Sequence, residues 1–90
     1  MRVEATKAFL RDLKKLSKAD ALATTTALQE FVQGQTGKRL NFEPVVRRPG
    51  YYTIRGTYSV RVLLRKTGED SFDVVAVGNH DYVYASYFRK

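Results

Sequence analysis

Apolar positions recur at different spacings along the chain, and each spacing predicts a different element. At the start, in "MRVEAT", Val3 and Ala5 fall on one side of a short extended segment. From Lys7 the period becomes helical: Phe9, Leu10, Leu13 and Leu16 recur together, with Arg11, Asp12, Lys14 and Lys15 filling the opposite side. Ser17, with Asp20 three residues on, reads as a capping-box-like start to a second helix. That helix runs to about Gln33 on Leu22, Thr25, Leu28, Phe31 and Val32, and Gly34 and Gly37 end it. Two helices joined by so short a turn predict an antiparallel hairpin.

Residues 35–49 break the pattern. Pro44 and Pro49 bar a regular helix there, which puts Arg47 and Arg48 in a loop or on a sheet edge. After Gly50 the period drops to two. "YYTIR" reads as a strand, Gly56-Thr57 as a tight hairpin turn and "YSVRVLLRK" as the next strand. Thr67 to Asp70 is a second turn. "SFDVVAVG" is apolar on both faces and therefore an interior strand. The tail from Asp81 has the makings of a short helix. The fold expected is α+β, a single domain over residues 1–90. A short N-terminal strand and a helical hairpin pack on a small antiparallel-rich sheet, in the order β-α-α-β-β-β with a short C-terminal helix.

Charge narrows the partners. The chain carries 16 bases against 9 acids, a net +7. Between Lys38 and Lys66 the eight bases Lys38, Arg39, Arg47, Arg48, Arg55, Arg61, Arg65 and Lys66 face one acid, Glu43. Six of these are arginine, whose planar fork suits phosphate and carboxylate, so a polyanion is the natural partner. A solvated basic surface kept for solubility is the alternative. The chain has no cysteine, which excludes disulfides, thiolate metal sites and cysteine nucleophiles. One histidine makes a histidine-rich metal site an unlikely design, and no cofactor is expected. No apolar run is long enough to span a membrane and no signal-type segment follows Met1, so a cytoplasmic protein is the expectation.

Strand alternation then groups the candidate chemistry. Val60, Val62 and Leu64 point toward the helices, and Tyr52 and Ile54 do likewise. Arg61, Arg65, Arg55 and Tyr51 then share the opposite, open face, and a returning tail brings His80 and Tyr84 to its rim. Guanidinium groups bind phosphates and aromatic rings stack unpaired bases, so this face suits RNA. An imidazole titrates near neutrality, and RNA carries its own nucleophile in the 2′-hydroxyl. Histidine, tyrosine and arginine can therefore supply acid, base and fixed positive charge for phosphodiester cleavage without a metal. Each residue also has a plainer use. His80 can be a turn or cap residue, Arg61 can pair with Asp73 or Glu43, and Tyr84 can belong to a core with Val83 and Phe88.

The element order, the arginine inside "YSVRVLL", the strand end "VVAVG" and the following "HDYVY" resemble the RelE/ParE superfamily of type II toxins. The resemblance covers nearly the whole chain and is strongest from Gly56 to Tyr84. Its RelE branch implies a ribosome-dependent mRNA endonuclease that halts translation, with a cognate, usually acidic, antitoxin as partner and a free toxin that is monomeric. It makes Arg61 the arginine that holds the scissile phosphate and Tyr84 the C-terminal tyrosine of the site. The basic pair that RelE carries after its last strand is absent; "GNHDYVY" puts His80 near that place. Arg61, His80 and Tyr84 are thus the catalytic candidates, with Lys38, Arg47, Arg48, Arg55, Arg65, Lys66 and Tyr51 as RNA contacts. The ParE branch implies a gyrase inhibitor instead, and a non-catalytic RNA- or protein-binding relative is the third reading.

Overall fold

The computed structural model describes residues 1–35, 37 and 39–89; Lys38 lies outside the described residues. Strand β1 (Arg2–Ala5) leads into helices α1 (Lys7–Lys14) and α2 (Lys18–Val32). A two-residue strand, β2 (Glu43–Pro44), precedes β3 (Tyr51–Arg55), β4 (Arg61–Gly68) and β5 (Ser71–Gly78). Helix α3 (His80–Tyr84) and a 3-10 turn (Ser86–Arg89) close the chain. The five strands form one mixed sheet in the order β1-β5-β4-β3-β2, with β1 parallel to β5 and the other pairs antiparallel. The α+β expectation holds. β2 is an addition to it: the residue before a proline prefers extended backbone, and Pro44 is tolerated because β2 lies on the sheet edge.

The helix starts follow from their caps. Thr6 Oγ1 accepts from the Phe9 N–H at 3.2 Å, and Ser17 Oγ accepts from the Asp20 N–H at 3.1 Å. α2 ends where Gly34 takes φ +82°, a conformation that costs glycine little. The buried stripes differ from the expected ones. α1 buries Phe9 and Asp12 and leaves Leu10 exposed; α2 buries Thr24, Ala27 and Phe31, with Leu22 69% exposed. The β3–β4 connection is also longer than a two-residue turn. The Gly56 and Thr57 N–H groups both donate to the Val60 carbonyl, and β4 begins only at Arg61.

The sheet carries a core on each face. On the helix side Phe9, Ala27 and Phe31 pack with Ile54, Val62, Leu64, Phe72, Val74 and Val77. Phe31 lies against Phe42 and Phe72 with ring centroids 5.3 and 5.2 Å away. The other face is not open. Val45, Leu63, Val75, Ala76 and Val83 form a second core there, with Tyr51, Tyr82, Tyr84, Tyr87 and Phe88 packed on it. A register shift between Leu63 and Leu64 lets β5 present the consecutive Val75 and Ala76 to this one core. The C-terminal segment is therefore a cover for the sheet, and it confines the exposed chemistry to the cover's edge.

Candidate functional site

A cleft of about 590 Å³ opens between α3 and the β2 region, lined by Asn41, Glu43, Pro44, Val45, Val46, Arg61, His80 and Tyr84. The three catalytic candidates thus meet in one place. Arg61 arrives there because β4 starts with it, opposite Arg55 on β3 and Gly78 on β5. One terminal nitrogen, Nη1, donates to the Thr57, Tyr58 and Val60 carbonyls at 3.1, 3.0 and 3.3 Å. These bonds anchor the guanidinium to the β3–β4 loop, with its charge at the cleft wall.

His80 and Tyr84 arrive by a cap. β5 ends at Gly78, and the Asn79 Oδ1 accepts from the Tyr82 N–H at 2.9 Å to start α3. His80 is then the first helical residue and Tyr84 lies one turn later on the same side, the ring centroids 4.3 Å apart at 32°. The imidazole is exposed, with Nδ1 3.7 Å from the Asp81 carboxylate. The Tyr84 hydroxyl is 2.7 Å from Thr53 Oγ1 and reaches Glu43 Oε1 at 3.5 Å. An ionised carboxylate only accepts, so Tyr84 donates to Glu43, and the Thr53 hydroxyl donates to Tyr84 in turn. Glu43 faces Thr53 across the β2–β3 ladder, which completes a relay from β3 through α3 to β2.

Glu43 is a functional candidate that the sequence reading left out except as a salt-bridge partner. Its signal was there: it is the single acid among eight bases from Lys38 to Lys66, and the proline after it favours extended backbone. The pairing of Arg61 with Asp73 or Glu43 does not occur; Asp73 is taken by Arg65 at 2.8 Å, its partner across β4 and β5.

The remaining candidates are dispersed. Arg65 is held by Asp73, whose hydrogen bond is the main reason its pKa is raised, and it also bonds Tyr51. Tyr51 packs edge-on against Phe88 at 4.9 Å, and the Arg48 guanidinium sits 4.6 Å above the Phe88 ring. These three belong to the seam that holds the C-terminal cover, not to an open face. Arg55 lines a separate cleft of about 300 Å³ beside the Glu30–Arg39 ion pair, and its Nε is buried without a hydrogen-bond partner. Lys66 is opposite Phe72, on the alternation of Val62 and Leu64 rather than that of Arg61. Arg47 is exposed, next in sequence to the cleft residue Val46, in a left-handed turn at φ +65°. Among the described residues no group of three or more histidine or acidic side chains could hold a metal ion.

No protein-family model matches the chain, and no curated protein is similar to it in sequence. Solved structures do match. YafQ of E. coli, in its complex with DinJ, superposes with a TM-score of 0.77 at 13% identity over 94% of this chain and 100% of that one. The RelB–RelE antitoxin–toxin complex of Methanococcus jannaschii gives 0.73 at 19% identity, covering 94% and 98%. A YoeB/ParE toxin of Agrobacterium tumefaciens gives 0.70 at 16%, covering 89% and 99%. Over about nine-tenths of its length or more, the chain has the same fold as these toxins.

Proposed function

We propose that this protein is the toxin of a type II toxin–antitoxin system and that it cleaves mRNA on the ribosome without a metal. The observation that carries the reading is the convergence of Arg61, His80, Tyr84 and Glu43 on one cleft. Those four side chains supply what transesterification of RNA requires. Glu43 takes the proton from the 2′-hydroxyl, whose oxygen attacks the phosphorus. As the P–O2′ bond forms and the P–O5′ bond breaks, protonated His80 gives its proton to the departing 5′-oxygen. The products are a 2′,3′-cyclic phosphate and a 5′-hydroxyl. Arg61 stabilises the extra negative charge of the phosphorane. Tyr84 orients Glu43 through its hydroxyl and holds the imidazole against its ring. Arg47, and Lys38 in the same basic stretch, steer the RNA backbone. An acidic antitoxin that covers the cleft would offset the +7 charge.

Primer extension on mRNA from cells briefly induced for the protein tests this. The expected result is new 5′ ends at fixed positions within translated codons. With Arg61→Ala, His80→Ala or Glu43→Gln these ends should weaken by about 100-fold or more. Growth arrest with intact mRNA would replace the reading by gyrase inhibition. Neither arrest nor cleavage would leave a binding module.

A further inference from the structure

Helix α1 carries a carboxylate on its buried side. Asp12 is only 9% exposed, although Arg11, Lys14 and Lys15 around it face solvent. Its Oδ2 accepts two hydrogen bonds, from the Val77 backbone N–H at 3.2 Å and from the Tyr82 hydroxyl at 2.9 Å. The backbone explains the first. β1 pairs with β5 as far as Ala5 opposite Val74, and the Thr6 N–H then donates to the Val74 carbonyl. Beyond that point β1 no longer accompanies β5, and Asp12 takes up the Val77 N–H where the ladder stops. An N–H left buried there without an acceptor would be costly.

The two donors bracket the turn that delivers His80. Between Val77 and Tyr82 lie Gly78, the cap residue Asn79, His80 and Asp81. The Tyr82 ring lies close on Gly78: a Cβ at residue 78 would come within 2.7 Å of Tyr82 Cδ2. Gly78 is also the register partner of Arg61. One carboxylate on α1 therefore grips both ends of the strand-to-helix turn beside the cleft.

We infer that Asp12 is a positioning residue for His80, fixing through Val77 and Tyr82 the turn that sets the imidazole against the Tyr84 ring. The placement stands on the geometry alone; its consequence for catalysis rests on the function proposed above. The cleft then depends on a residue of helix α1 that is not part of its lining.

The chain's single histidine makes the test direct, because its imidazole proton signals need no disentangling. In the NMR spectrum of the full chain, the Tyr84 ring should shift those signals by its ring current. Asp12→Ala should return them toward the values of a free imidazole, while methyl signals of Val62 and Leu64 in the helix-side core stay put. Asp12→Asn keeps an acceptor oxygen and should retain the wild-type His80 shifts. Tyr82→Phe removes one of the two bonds and should give a partial loss. It also serves where Asp12→Ala does not fold. Leu28→Ala, a helix-side truncation away from the turn, should lower stability and leave His80 unmoved. A folded Asp12→Ala, or Tyr82→Phe, whose His80 signals match wild type overturns the inference. Where the protein cleaves RNA, Asp12→Ala should lower kcat by up to about 100-fold with KM little changed. If no variant and no wild type cleaves, the functional reading fails and the NMR result still decides the positioning role.

Discussion

Burial, and then the hydrogen bond to Asp12 and its charge, push the Tyr82 phenol up to about 12. In the unfolded chain a phenol ionises near 10. The folded state therefore keeps a proton that the unfolded state loses, and the stability this contributes is complete below pH 10. It is lost as pH rises through the window from about 10 to about 12. Urea titrations between pH 9 and 11.5 should show stability falling more steeply for wild type than for Tyr82→Phe. Burial also raises the Tyr87 phenol, so an absorbance titration at 295 nm should show late-ionising phenols, of which Tyr82→Phe removes one. Asp12→Asn should lower it only in part, because burial is the larger cause. At this scale the sequence was legible where a residue's identity carried its chemistry. Arg61, His80 and Tyr84 were readable as an arginine in a strand, the one imidazole and a tyrosine one turn later. Asp12 was not, because helical spacing alone put it among lysines on the solvent side. Only the third dimension brings Val77 and Tyr82 to it.

The helices show why a stripe can be misread by one position. In α2 the large apolar side chains Leu22 and Val32 suggest a face, but the buried positions are Thr24, Ala27 and Phe31. Small residues let the helix approach the sheet closely: a Cβ on Gly56 would meet Thr24 Oγ1 at 3.1 Å. Apolar size was the visible signal, and closeness of approach was the deciding one. The consequence is measurable. Phe31→Ala, which empties a fully buried site between Phe42 and Phe72, should cost about 3–5 kcal/mol in urea unfolding. Leu22→Ala, at a site 69% exposed, should stay within about 0.5 kcal/mol of wild type. The strands were more legible, since period two is hard to mistake. β5 still hid its register shift, because four consecutive apolar residues fit either face.

Over the whole molecule, covering the second sheet face turns a broad basic surface into a localised one. Tyr51 and Arg65 were read as open because alternation assigns a face without saying what covers it; the aromatic tail does, and its Phe88 ring also engages Arg48 of the preceding loop. Charge then has two kinds of work. Arg65 and Arg48 are engaged by Asp73 and the Phe88 ring and hold the structure together. Arg47, exposed near the cleft, makes no ion pair among the described residues and is available to an external phosphate. Binding of single-stranded RNA should weaken with salt, the logarithm of affinity falling by about 0.7 per phosphate neutralised for each tenfold rise in salt. Arg47→Ala should reduce that slope by about 0.7 and leave kcat at saturating substrate unchanged. On the proposed mechanism, in which the Arg61 charge acts on the phosphorane and not only on the bound strand, Arg61→Ala should reduce the slope by a similar amount and depress kcat as well. Measuring affinity at several salt concentrations beside kcat separates the two arginines. Equal effects of both variants on slope and on kcat would mean that Arg61 only binds, and the charge stabilisation assigned to it would have to come from elsewhere in the cleft.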